Sequence, residues 1–263
     1  MTPALTFVFF GLGLIIGSFL NVVIFRFNTG KSFGGRSMCL ACKKTLHSHE
    51  LVPLFSYAFL GGRCKGCKTK ISIQYPIIEL ITGLIFAGLF YKFANIFYFD
   101  PVSFAVTFGY YAVVFSLLLV IAVHDFKHKI IPDSLAIFLG TLAIVGLFLF
   151  EGNMFYPHFP DMWDYLRGIL FALPFAALWF FSKGTWMGLG DAKIAISIGW
   201  IFGVTVGISA IILAFWIGAL VGVVLLLLKK VRGVKSEMPL APFIALGALI
   251  AFLFEINVLP LGF

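Results

Sequence analysis

Charge is what this chain has least of. Only 11% of its 263 residues are Asp, Glu, Lys or Arg, while 61% are hydrophobic. That balance excludes a water-soluble core and implies several membrane spans. Acid is scarcer than base, 11 residues against 19. The resulting net charge of +8 is no nucleic-acid footprint, because the Lys and Arg residues cluster beside apolar runs as membrane topology requires. No basic region precedes the first apolar run, "MTPALTFVFFGLGLIIGSFLNVVIF". The run continues for a full span, so it reads as a first transmembrane helix and not as a cleavable signal peptide. H-E-x-x-H and a Ser-His-Asp set are missing as well, which leaves zincin and serine-hydrolase chemistry without residues. There is no G-x-G-x-x-G, so sequence locates no dinucleotide-type pocket.

What is present is hydrocarbon in measured lengths. Apolar runs cover about 5–25, 76–94, 102–123, 134–150 and 166–181, each near the roughly 20 residues that cross a bilayer. The run 194–228 is ambiguous: 35 residues make about 53 Å of helix, too long for one span and short for two. Charge resolves it. The segment 26–70 holds nine Lys/Arg against one acid, Glu50, and is expected inside, with the N-terminus outside. Counting forward puts Lys127 and Lys129 inside, the acidic segment 151–165 outside, and Lys183 to Lys193 inside. The basic cluster "KKVRGVK" must also be inside, so the long run is two spans turning near Gly203. A last span over 240–256 completes eight helices with both termini outside. This arrangement places 17 of the 19 basic residues on the inner side. The expected class is an all-α polytopic membrane protein: a first helix (1–25), a small zinc-binding inner loop domain (26–75) and a seven-helix membrane domain (76–263).

Three motifs carry chemistry. The first is a pair of C-x-x-C knuckles, Cys39 with Cys42 and Cys64 with Cys67, separated by 21 residues. Four thiolates at such spacing wrap one tetrahedral zinc, the ribbon spacing being exceeded by about one residue. The alternatives are two disulfides or a redox pair; an inner location opposes disulfides, and no βαβ pattern accompanies either pair. His47 and His49 then read as solvated loop residues, since four cysteines complete a structural site. The second is "HDFKHKIIPD", with Asp125 at the inner end of the third span and Asp133 at the start of the fourth. Asp133, between Pro132 and Ser134, has an ordinary reading as a helix cap. Asp125 is a costly carboxylate ending an apolar helix, although Lys127, Lys129 and water can solvate it. The third is "KGTWMGLGDAKI", where Gly188 and Gly190 free the backbone and permit close approach. Its ordinary reading is a loop, with Asp191 as a cap and Lys193 snorkelling.

Asp125 and Asp191 fall at inner helix ends on the same side, in the most apolar surroundings a carboxylate can have here. Two carboxyls brought within reach cannot both ionise, and a shared proton makes one a base and the other an acid. Asn21 reads as a bridge between helices, Arg26 as an interface anchor, and Glu79, three residues after Pro76, as a favourable first-turn carboxylate.

In this order and company the motifs resemble those of the bacterial type IV prepilin peptidases, membrane aspartic proteases of the GxGD class. The residues that carry the resemblance are "GSFLNVVIFR" (17–26), both C-x-x-C pairs, "ISIQYPIIELITG" (71–83), "DFKHKIIPD", "MGLGDAK" and "PLAPFIALG" (239–247). The resemblance implies catalytic aspartates at Asp125 and Asp191 and zinc thiols at the four cysteines, with Gly188, Gly190, Asp133, Lys193 and Glu79 in support. It also implies a bacterial inner-membrane enzyme that cleaves the basic leader from prepilins or pseudopilins on the cytoplasmic face. Methylation of the new N-terminus with S-adenosylmethionine follows in many members. In "PLAPF", members often have glycine where this chain has Ala241, a difference expected not to touch the chemistry. Membrane lipid is an expected partner and nucleic acid is not. Rival readings are a preflagellin- or presenilin-like protease with another substrate, which the cysteine-bearing loop opposes, and an ion transporter or zinc-binding scaffold. A transporter is expected to place carboxylates near mid-bilayer and to show repeated halves, and neither feature is present.

Overall fold

The computed structural model describes residues 2–29, 32, 34–39, 41–228 and 238–258. The basic cluster at 229–235 and the last five residues, which enter the topological count above, lie outside the described residues. The chain divides into two compact units, Met1–Asn95 and Ile96–Phe263.

The first unit is built on two long antiparallel helices, α1 (Thr2–Arg26) and α3 (Gln74–Phe99). Small residues let their backbones touch: a Cβ on Gly13 would lie 2.8 Å from the Gly83 Cα, and one on Gly17 would lie 2.7 Å from the Glu79 Cα. This is the small-xxx-small device of membrane helix pairs, which depends on packing because lipid supplies no hydrophobic drive. Phe9 stacks on Phe90, and Phe25 on Tyr75, with centroids 4.4 and 4.9 Å apart. Buried Asn21 donates from Nδ2 to the Tyr75 carbonyl at 3.1 Å and thus bridges the helices as the sequence indicates. Arg26 does more than face an interface, since its guanidinium donates to the Ser32 carbonyl at 2.7 Å and to that of Gly34. Between α1 and α3 lie the two cysteine knuckles, a 3-10 turn (Ser48–Glu50) and the short helix α2 (Phe55–Phe59).

The second unit is a helical bundle. Asp100 starts α4 (Pro101–His128) by accepting the Val102 and Ser103 N–H groups at 3.1 Å, with Pro101 fitting the first helical position. Lys129, in the left-handed region, ends it. α5 (Asp133–Leu149) leads into a two-stranded hairpin, β1 (Phe150–Glu151) and β2 (Met154–Phe155), paired in antiparallel register. A reciprocal cap between Asp161 and Asp164 opens α6 (Met162–Ser182).

α7 (Leu189–Leu227) is 39 residues long and breaks at Gly203, whose φ of 68° and ψ of −170° only glycine adopts readily. The break reverses the chain: a Cβ on Gly207 would lie 3.6 Å from the Ile198 carbonyl oxygen, although nine residues of straight helix span about 13 Å. The long apolar run is therefore two arms turning at the residue the charge argument selects. α8 (Ala241–Phe254) packs on α4 and α7, with Gly247 set against the backbone of Ala210. Tyr111 and Phe115 of α4, Phe202 of α7 and Phe252 of α8 form the aromatic centre of the bundle.

Five helices are long and apolar enough to cross a membrane, and α5 and α8 are shorter apolar helices. Taking the two arms of α7 separately gives eight among the described residues, the number expected from the sequence.

Candidate active site and metal centre

Asp125 and Asp191 come together in the second unit. Asp125 lies in the last turn of α4, is 5% exposed, and accepts the Ala241 N–H through Oδ2 at 3.2 Å. Asp191 is the third residue of α7 and 9% exposed, and its Oδ1 is buried with no hydrogen-bond partner among the described residues. The two are close enough for the charge of one to act on the other. Beside Asp191, Ala192, Ala195 and Phe175 form an apolar cluster with Met187 and Leu240 packed against it. The pair thus has unequal hydrogen bonding: one carboxylate is met by a helix N-terminal amide, and the buried Oδ1 of the other has no partner among the described residues.

The residues expected in support divide. Gly190 has ordinary helical geometry, and neither it nor Gly188 takes a positive φ, so the anticipated backbone freedom is not what the motif uses. Close approach is real at Gly190, where a Cβ would lie 2.9 Å from the Ile131 Cβ. At Gly188 nothing would lie nearer than 3.9 Å. Asp191 does not cap α7, because the cap position is Gly188. Asp133 makes no cap bond for α5 either: it pairs with Lys193 at 2.5 Å, and Lys193 is thereby an ion-pair partner of α5. Glu79 is not in the first turn of its helix, since α3 begins at Gln74. Its buried carboxylate lies in the first unit and accepts the Leu54 N–H at 2.9 Å. The Ala241 amide is the contact that sequence reasoning missed. A backbone donor leaves no mark in residue type, although "PLAPF" marks its location.

In the first unit the two knuckles repeat one geometry. Cys39 N–H donates to the Lys44 carbonyl and Cys64 N–H to that of Thr69, each at 2.9 Å, and Lys43 and Lys68 take matching left-handed turns. The four Sγ atoms lie within 4.8 Å of one another, with Cys39 and Cys67 at 3.7 Å. That separation is far beyond a disulfide bond of about 2.05 Å. It matches the edge, about 3.8 Å, of a tetrahedron with Zn–S distances of about 2.3 Å. The Thr69 hydroxyl lies 3.2 Å from Cys67 Sγ, within hydrogen-bonding reach of the sulfur. His47 and His49 stack on each other in solvent, outside the sulfur cluster. The one acid of the loop, Glu50, is internal: it accepts the His47 N–H at 2.9 Å and pairs with Lys44 at 3.4 Å.

Two family models match the chain, the bacterial peptidase A24 N-terminal domain over residues 12–93 and the type IV leader peptidase family over 112–223. The chain is similar to the prepilin leader peptidase/N-methyltransferase of Bacillus subtilis, 32% identical, covering 94% of this chain and 93% of that one. It is similar to proteins of the same name from Myxococcus xanthus, 31% identical over 89% and 67% of the two chains, and from Pseudomonas aeruginosa, 28% over 92% and 88%. No solved structure matches. With both family models matched in order across the two units, and relatives aligned over nearly the whole length, the chain belongs to the type IV leader peptidase family.

Proposed function

We propose that this protein is an aspartic endopeptidase of the inner membrane that removes the basic leader from prepilins or pseudopilins and then methylates the exposed N-terminus. The observation that carries the reading is the unequal pair: two buried carboxylates on α4 and α7, of which, among the described residues, only Asp125 receives an N–H. A hydrogen bond to a carboxylate favours its ionised form, and burial without one favours the neutral form. Asp125 is thus the base and Asp191 carries the proton. Asp125 takes a proton from water as the water oxygen attacks the scissile carbonyl carbon, while Asp191 gives its proton to the carbonyl oxygen. Collapse of the tetrahedral intermediate returns a proton from Asp125 to the leaving nitrogen and one from the intermediate's hydroxyl to Asp191.

Position supports the substrate class. Asp191 is three residues into an apolar helix, at the edge of the hydrocarbon, where a chain with a basic leader in water and an apolar segment in lipid would present its junction. The distribution of basic residues supports a cytoplasmic site with both termini on the far side.

We assign zinc to Cys39, Cys42, Cys64 and Cys67, where it cross-links the two knuckles into one unit. The methyl donor implied by the relatives' names is S-adenosylmethionine. A groove of about 280 Å³ beside α2 is lined by Val52, Phe55, Phe59 and Leu60 together with His49, Glu50, Ser56 and Lys65. The test is to incubate the full-length protein, in detergent or lipid, with a prepilin and weigh the product intact. Expected are loss of the leader in either condition and a product one methyl heavier only with S-adenosylmethionine. An uncut prepilin overturns the reading.

A further inference from the structure

The first unit holds a feature that neither cleavage nor zinc binding uses. α2 and the residues before it expose Phe59 at 87% and Phe55 at 60%, together with Val52 and Leu51. Four residues apart on one helix, the two rings share a face. They border the groove beside α2, which His49 and Lys65 also line.

The level of this surface follows from Glu79. α3 has 26 residues, about 39 Å of helix against a hydrocarbon core of about 30 Å, so about 4 Å projects at each end. Glu79 is five residues, about 8 Å, past the start at Gln74, which puts its Cα just inside the hydrocarbon. Its Cβ points back toward the start of the helix, so the carboxylate that holds the Leu54 N–H lies no farther out than the boundary. On α1 the same level is Gly17, eight residues, about 12 Å, inside the inner end of the 5–25 span, so α1 too places the Leu54–Glu79 contact on the hydrocarbon side of the boundary. Leu54, whose φ of 60° turns the chain there, is followed directly by α2.

We propose that residues 51–60 form a re-entrant interfacial element: Phe55 and Phe59 lie among lipid acyl chains, and the knuckle lysines and arginines rest on anionic headgroups. Charge complementarity favours lipid as the occupant. The segment 26–70 has nine Lys/Arg, and its one acid is already paired with Lys44. Aromatic rings beside basic residues at the boundary are the composition of an interfacial anchor. Glu79 is then the buried tie that holds the element at depth, which gives this otherwise costly carboxylate a reason.

The test places a photoreactive benzoylphenylalanine at Phe59 in the full-length protein, reconstituted in phosphatidylethanolamine/phosphatidylglycerol vesicles. The same probe at Phe7, exposed on α1, is the lipid reference, and at Ser48 it is the aqueous one. After irradiation, digestion and mass analysis, position 59 should carry phospholipid adducts at a yield comparable to position 7, and position 48 should carry few. Adducts at 59 to added prepilin or to a second copy of the chain, or a lipid yield no higher than at 48, would overturn the proposal. Bound zinc and an unchanged circular-dichroism spectrum of the labelled protein show that it is folded. Uncut prepilin with lipid adducts at 59 would count against the peptidase reading and leave this one standing.

Discussion

At the residue scale the account turns on single contacts. The Ala241 N–H is the only donor to Asp125 among the described residues, and a hydrogen bond to a charged group is worth about 1.5–3 kcal/mol. Replacing that amide with an ester, through an α-hydroxy acid at position 241, should lower kcat by about 10- to 100-fold with KM little changed. Ala241→Gly, which keeps the N–H, should stay near wild type. The two motif glycines should also differ. Gly190→Ala drives a methyl group into Ile131 and should lose most activity, whereas Gly188→Ala meets open space at an ordinary φ of −76° and should cleave prepilin at close to the normal rate. Equal sensitivity at both positions in a cleavage assay would contradict this. Asp125 and Asp191 were legible in the sequence because an uncompensated carboxylate in hydrocarbon is expensive and invites a reason. Ile131 and Ala241 were not, since contacts across 59 and 116 residues carry no local pattern.

Among elements, the spans were the most legible, because crossing a bilayer fixes length and composition together. The break at Gly203 could be placed from the need to keep two basic clusters on one side, and its strained geometry is that of glycine. The partner of Glu79 could not be placed, because residues 51–60 combine a positive-φ Leu54 with a five-residue helix and show no long periodicity. The knuckle element should bind about one zinc per chain, read by elemental analysis. All four cysteines lie in the first unit and both aspartates in the second. Cys→Ser changes or metal removal should therefore leave leader cleavage largely intact, as followed by product mass. Glu50 gives the same element a pH dependence. The His47 N–H first, and Lys44 second, hold its carboxyl below the usual range. A depressed acid contributes stability that is complete above its unfolded value, about 4.3, and is lost as pH falls through the lower folded value. Zinc retention in acid should thus be less pH-dependent in Glu50→Gln over that window.

For the whole molecule the claim is one of division: a small-residue helix pair carries the knuckles, and an aromatic-centred bundle brings two carboxylates to the end of its helices. Composition and charge distribution were enough to read the class of molecule and the number of its apolar helices. The unequal hydrogen bonding of the two acids required three helices in place, because α4, α7 and α8 each contribute one part. The most direct measurement compares leader removal from a prepilin by the full-length protein and by its Asp125→Asn and Asp191→Asn forms. Both variants are to be verified as membrane-inserted and zinc-loaded, and the product is to be weighed intact. The account predicts no detectable cleavage by either variant. Appreciable leader removal by Asp191→Asn would contradict it.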